Sequence, residues 1–380
     1  MSNSAFDNLN EELLFEQASM KICEKIPCLD ESLNIAVIGK VSSGKSSLIN
    51  ALLRLNRRQA LGIARVGATS GITTKPIIFS LDDKVHLIDS PGLDDVRAEN
   101  SEETRKLLKN IDIGIFVITG SSDASQKRNL DDLKKHCDII FVVLNKIDEW
   151  DGLDLTVIND VINQWKNDLN VDKIYPTCTK GYDPKSREPK MYIRGVDQLR
   201  TDIEEFLRKK KKNLLLERHM AEKKPYAIGI ITAALTTVAV EALLPGSIAS
   251  ITATQAAAIV SLNYLYTGEV LSSRAALSTL PVFLAESARP TLFLFAKSFL
   301  PPTGIIDVAA ASVAVVITLA LLTTVNFSLS SKLKLDQKEI LRMNFKNYYD
   351  KSKKDFNKLG STDIKNLPNL SEFVKKFLEK

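Results

Sequence analysis

The sequence predicts an α/β domain with a mostly parallel sheet, followed by an all-α hydrophobic domain. Three observations predict it. Apolar runs alternate with amphipathic stretches as far as about Leu207. A glycine-bounded loop, Gly39-Lys40-Val41-Ser42-Ser43-Gly44-Lys45-Ser46, joins one such run to a helical pattern. At Pro225 the composition changes abruptly: only seven charged residues lie between Tyr226 and Ser330, in a chain that is 26% charged.

In chain order, residues 11–29 read as an amphipathic helix that would pack on the α/β domain or on a second copy. Leu33–Ile38 is an apolar stretch that reads as a buried parallel strand, and Ser47–Leu53 has the apolar spacing of a helix. Val85–Ile88 and Ile139–Leu144 read as further strands. Val196–Leu207 forms a helix that closes the domain, and the run Arg208–Lys212 after it suits a solvated helix end, where the macrodipole favours cations. The expected boundaries are an N-terminal helix over 1–32, the α/β domain over 33–212, the hydrophobic helical domain over 213–330 and a basic helical tail over 331–380.

The loop fits G-x-x-x-x-G-K-[S/T] in the strand–loop–helix context that the motif requires. Such a loop turns successive backbone N–H groups inward, and the helix N-terminus adds partial positive charge, so Gly39, Ser42, Ser43, Gly44 and Ser47 would cradle phosphate through the main chain. Lys45 adds a full charge for the β- and γ-phosphates, and the Ser46 hydroxyl is placed to ligate Mg²⁺. Asp89, in Asp89-Ser90-Pro91-Gly92, ends the second strand, where it can hold the same ion while the Gly92 N–H approaches the γ-phosphate. Asn145-Lys146-Ile147-Asp148 again follows an apolar run. A carboxylate such as Asp148 accepts from the ring N–H and exocyclic amine of guanine together, a donor pair that adenine lacks. Asn145 can tie neighbouring loops, and the Lys146 stem can lie over the base. In that order and spacing the three motifs indicate GTP.

On these residues the chain resembles the P-loop GTPase superfamily, in its Era/TrmE-like and dynamin-like region, over roughly residues 33–210. The resemblance implies that Ala68-Thr69-Ser70-Gly71-Ile72-Thr73-Thr74-Lys75-Pro76 is a first switch loop. Thr74, or alternatively Thr73, would close on Mg²⁺ and the γ-phosphate in the GTP state. It further implies that Thr177-Cys178-Thr179-Lys180-Gly181 is a base-contacting loop, with Cys178 in the position usually held by serine, so that Cys178, Thr179 and Lys180 join the nucleotide site. Two departures bear on catalysis. Leu93 stands where Ras-like enzymes carry a water-orienting glutamine, and Val41 stands at a phosphate-loop position that is glycine there, which argues against an inserted arginine finger. Ser42 falls where Era/TrmE-like enzymes often place a K⁺-coordinating asparagine and dynamins a serine. Stimulation by K⁺ or by nucleotide-dependent dimerisation is therefore an open alternative.

Composition narrows the setting. The four cysteines, Cys23, Cys28, Cys137 and Cys178, lack metal spacing and read as reduced thiols, and the three histidines are scattered. Residues Met1–Leu14 are polar and acidic, unlike a secretory signal. Within the hydrophobic half, four apolar stretches can be drawn: Tyr226–Leu244, Ile248–Tyr266, Ala275–Phe299 and Ile305–Phe327. Val308–Val325 carries no charge and approaches the roughly 20 residues that cross a bilayer core. Glu241, Pro281, Glu286, Arg289 and Pro290 interrupt the others. Basic residues flank the region on both sides, Arg208–Lys212 before it and Lys332, Lys334, Lys338, Arg342 and Lys346 after it, which suits an anionic cytoplasmic membrane surface. The alternative is a soluble bundle of small-residue helices. The tail from about Leu333 sets apolar positions such as Phe345, Tyr349, Val374 and Phe377 among lysines, and would pack back on the α/β domain or, as an alternative, lie on a membrane surface.

The arrangement resembles poorly characterised bacterial membrane-associated GTPases with a C-terminal hydrophobic domain. The reading is a GTP-hydrolysing switch on the cytoplasmic side whose nucleotide state controls a membrane-associated helical domain, with GTP as substrate, Mg²⁺ as cofactor, and membrane lipid and a nucleotide-dependent homodimer as partners. Nucleic acid is not favoured: the net charge is only +5, and no RNA-binding signature is present. Two other readings stand beside it, a soluble ribosome- or RNA-associated GTPase and a module that holds GTP without hydrolysing it.

Overall fold

The structure, a computed structural model, describes residues 16–63, 77–90, 110–123, 126–182, 190–244, 247–284, 305–356 and 367–379. It divides into two compact units, one of residues 28–222 and the other of residues 1–27 with 223–380.

In chain order, a helix over residues 16–25 (α1) precedes β1 (Leu33–Gly39), α2 (Lys45–Leu52), α3 (Arg57–Ile63), β2 (Ile77–Ser80), β3 (Val85–Ser90), β4 (Ile111–Ile118), α4 (Gln126–Lys134) and β5 (Cys137–Leu144). Then come a 3₁₀ turn (Ile147–Trp150), α5 (Leu155–Leu169), β6 (Ile174–Pro176), the short pair β7 (Cys178–Lys180) and β8 (Tyr192–Arg194), α6 (Val196–Lys209) and α7 (Asn213–Glu217). Among the described residues, six strands form one sheet in the order β2-β3-β1-β4-β5-β6, with only β2 antiparallel. All seven residues of β1 are buried. Its neighbour β4 is almost as apolar, as expected of a central parallel strand covered on both faces. Ile38, Phe116, Val142 and Leu144 pack with Trp165 and Leu169 of α5 in one core cluster. Parallel strands sharing one direction bring the ends of β1, β3 and β5 to a single edge, where loops can converge on a ligand.

The second unit is helical: α1, α8 (Lys224–Glu241), α9 (Ile248–Thr267), α10 (Ser273–Leu284), α11 (Ile305–Ser330), α12 (Lys338–Phe356) and α13 (Leu367–Glu379). α8, α9 and α11 pack pairwise. Ala310, Ala311 and Ala314 of α11 meet Val238, Ala242 and Ile251, so small side chains let the backbones approach closely. Some polar groups pair across the same contacts: buried Gln255 Nε2 donates to Thr318 Oγ1 at 2.9 Å, and half-buried Tyr266 Oη to Asn326 Oδ1 at 2.8 Å.

Two expectations are corrected here, and a third is qualified. The tail does not fall with the α/β unit: α12 packs on α11 and α13 on α8, because Leu341, Phe345, Leu370, Val374 and Phe377 need an apolar partner and the helical unit provides it. The N-terminal helix likewise belongs to the helical unit, where Lys21 Nζ donates to Ser250 Oγ at 2.7 Å and Lys25 meets Glu241. Glu241, read as an interruption of an apolar stretch, is thereby neutralised rather than left against hydrocarbon. Finally, α9 and α11 are long and apolar enough to cross a membrane, yet 83% and 78% of their most apolar stretches are buried within the protein.

Candidate nucleotide-binding site

The loop between β1 and α2 is shaped by two glycines. A Cβ on Gly39 would lie 2.2 Å from the Val117 carbonyl oxygen, so β1 and β4 can run this close only with glycine there. Gly44 has φ +88°, and a Cβ on it would meet Asn145 Nδ2 at 2.3 Å. Ser42 adopts φ +63° at the exposed tip, beside Val41. Ser43 is buried, and Ser46 and Ser47 start α2 half-buried.

Lys45 is almost wholly buried, and its ammonium donates to the carbonyls of Gly39 at 3.1 Å and Lys40 at 3.2 Å. Asp89 Oδ1 lies 3.8 Å away, an ion pair longer than a hydrogen bond, and finds no hydrogen-bond partner of its own. The other carboxylate oxygen accepts from Ser46 Oγ at 2.7 Å. Burial pushes the Lys45 ammonium below its ordinary range against the pull of Asp89, and pushes the Asp89 carboxyl up against Lys45 and Ser46. Burial thus penalises the charged form of both groups. An anion on Lys45 and a cation between Ser46 and Asp89 would relieve that cost. The hard oxygens of Ser46 and Asp89 suit Mg²⁺.

The third strand end adds the base side. Asn145 is buried, and its Nδ2 donates to the Ser43 carbonyl at 2.9 Å. Its Oδ1 accepts from Thr177 Oγ1 at 3.1 Å and Thr179 Oγ1 at 3.3 Å. One amide therefore joins the phosphate loop, the end of β5 and the start of β7. Lys146 has φ +65° and caps the 3₁₀ turn that carries Asp148, whose Oδ2 stands 3.7 Å from Lys180 Nζ. Cys178 is fully buried with Sγ 3.2 Å from the Tyr192 carbonyl, and burial pushes its thiol up to about 11. It acts as a small packing residue, not a nucleophile.

The structure thus brings Gly39, Ser42, Ser43, Gly44, Lys45, Ser46, Ser47, Asp89, Asn145, Lys146, Asp148, Cys178, Thr179 and Lys180 to the carboxyl edge of the sheet and the loops beyond it. Thr73, Thr74 and Gly92 lie outside the described residues. Sequence reasoning missed two contributors. Thr177, first residue of the predicted base loop but given no role there, holds Asn145, and its place in the Thr177–Gly181 run was the available signal. Asp123, ion-paired to Lys40 of the phosphate loop from 83 residues away, left no signal.

Residues 34–168 match the family described as 50S ribosome-binding GTPase. Over 191 residues the chain is 29% identical to GTPase Der of Nautilia profundicola, a match covering 47% of this chain and 36% of that protein. It is 31% identical over 134 residues to the tRNA modification GTPase MnmE of Helicobacter pylori J99, covering 34% of this chain and 28% of that one. The chain therefore spans only about a third of the length of these relatives. Among solved structures, the G domain of the T. maritima FeoB iron transporter aligns at 19% identity over 46% of this chain and 99% of that one, with a TM-score of 0.27, too low to argue from. The motifs in their strand-end positions and the family match together identify the α/β unit of this chain as a P-loop GTPase domain.

Proposed function

We propose that the chain binds GTP with Mg²⁺, hydrolyses it slowly, and uses the nucleotide state to govern a membrane-associated helical unit. The observation that carries the nucleotide part is the convergence of Lys45, the Ser46–Asp89 pair and the Asn145 bridge at one sheet edge. In this reading the loop N–H groups from Gly39 to Ser47 and the Lys45 ammonium stabilise charge on the transferring phosphoryl group while water attacks in line. Ser46, Asp89 and Thr74 would hold the metal ion, which when bound neutralises charge shared between the β- and γ-phosphates. The Gly92 N–H would contact the γ-phosphate, so Thr74 and Gly92 would respond to its loss. Asp148 would select guanine, with Lys146, Cys178, Thr179 and Lys180 around the base.

Single-turnover GTP hydrolysis by the full chain and its Thr74→Ala variant tests the switch assignment. Loss of at least tenfold supports it, and an unchanged rate contradicts it.

The basic flanks and the two span-length helices support the membrane part. The burial of α9 and α11 favours a second reading, a closed bundle that docks protein. Both are reconciled if the unit meets lipid through its outer surface with the bundle intact.

A further inference from the structure

We propose that the corner made by the end of α11, the turn 331–337 and the outer face of α12 is a docking surface for anionic lipid. The proposal rests on the membrane reading above and assigns the face that carries it.

The inner side of α12 is already committed. Leu341 and Phe345 are buried, Phe345 stacks on Tyr349 with ring centroids 5.8 Å apart, and Tyr348 meets Phe327 of α11 at 6.2 Å. Apolar side chains remain exposed outside it: Met343 is 61% exposed and Ile340 37%, and Phe327, although it meets Tyr348, is 42% exposed. Around these lie Lys332, Lys334, Lys338, Arg342 and Lys346, all exposed, against only Asp336 and Glu339 as acids from 327 to 346. None of the five cations has a carboxylate partner among the described residues, whereas Lys173, Lys210 and Lys212 of the α/β unit are each tied to an aspartate.

The turn holds its cations by backbone. The Lys332 N–H donates to the Leu329 carbonyl at 3.0 Å and that of Leu333 to Ser328 at 2.8 Å, with Lys332 at φ +59°. This closes α11 and starts the chain back toward α12.

Cations without a carboxylate partner, interleaved with exposed apolar side chains on this corner, match the boundary of a bilayer, where headgroup phosphates and carboxylates lie beside the first methylenes. A nucleic-acid backbone would use the cations alone and leave Met343 and Ile340 in water, so lipid is the better fit.

The test is flotation of the full chain with vesicles of phosphatidylcholine, and of phosphatidylcholine with about one-third phosphatidylserine, at low and high salt. The wild type is expected to float with the anionic vesicles, and less at high salt. The variant K332E/R342E/K346E should lose at least tenfold in partition. Met343→Ser should lose severalfold, with both variants unchanged in far-ultraviolet circular dichroism and GTP affinity. Wild-type flotation that the triple variant retains would overturn this surface and leave the membrane reading standing. No wild-type flotation with either vesicle would overturn both. Binding to an RNA homopolymer but not to vesicles would make the corner a nucleic-acid interface and also overturn the proposal.

Discussion

Asn145 and Ser43, 102 residues apart in sequence, are joined by a 2.9 Å hydrogen bond from a buried side-chain amide to a backbone carbonyl. This bond couples the two ends of the nucleotide site: the loop that would hold phosphate cannot shift without moving the loop that would read the base. Replacing Asn145 with alanine leaves the Ser43 carbonyl without a donor and the Thr177 and Thr179 hydroxyls without this acceptor, at a cost of about 1–3 kcal/mol. We predict that Asn145→Ala weakens GTP binding by about tenfold or more and lowers the melting temperature. Titration with a fluorescent GTP analogue and a thermal melt would read both.

Gly44 occupies the space against that same amide. Its φ of +88° and the 2.3 Å approach of a built Cβ to Asn145 Nδ2 mean that Gly44→Ala is strained and must also displace the bridge. The variant should lose nucleotide affinity at least as severely as Asn145→Ala. Combining the two should give less than the sum of the separate losses, since both act on one contact. Additive losses would show that the bridge is not what Gly44 protects.

Glu217 offers a pH dependence away from the nucleotide site. It is 5% exposed, accepts from Asn213 Nδ2 at 3.1 Å, and burial pushes its carboxyl up to about 7. A raised folded value means that the native protein binds more protons than the unfolded chain between the ordinary 4.5 and about 7. Its contribution to stability is therefore present below 4.5 and lost as pH rises through 7, a change of about 3 kcal/mol. Glu217→Gln should remove most of that slope and be more stable than the wild type at pH 8. Urea denaturation at several pH values would check it.

Within the helical unit, Lys25 Nζ lies 2.5 Å from Glu241 Oε1 and 2.9 Å from Thr254 Oγ1, while Thr254 Oγ1 also bonds Glu241 Oε2 at 2.9 Å. Glu241 is only 12% exposed, so losing Lys25 strands a carboxylate. Lys25→Met should destabilise the helical unit by about 1–3 kcal/mol, and adding Glu241→Gln should recover part of it. A denaturation double-mutant cycle with no coupling would show the contact to be incidental.

Much of the α/β unit was legible because its signals are local. A buried strand such as Leu33–Ile38, a loop with glycines at fixed spacing and a polar turn after Ile139–Leu144 each announce themselves within about ten residues. The placement of α1, α12 and α13 was not legible. An amphipathic helix reveals which face it buries but not its partner, and the contacts that decide it, such as Lys25 with Glu241, join residues 216 apart. The apolar helices left two readings open for a related reason. Length and hydropathy are alike for a membrane span and for the central helix of a bundle, and only packing shows that α9 and α11 are enclosed. In the site, Thr177 was obscured because a buried threonine after a strand is ordinary until its acceptor is known.

The most direct test of the central claim is steady-state turnover of GTP and ATP by the purified chain in Mg²⁺, alongside Lys45→Ala. The account predicts slow hydrolysis, below about 0.1 per second without a partner. It should be confined to GTP and abolished by Lys45→Ala. Equal turnover of ATP, or GTP turnover that survives the loss of Lys45, would contradict it.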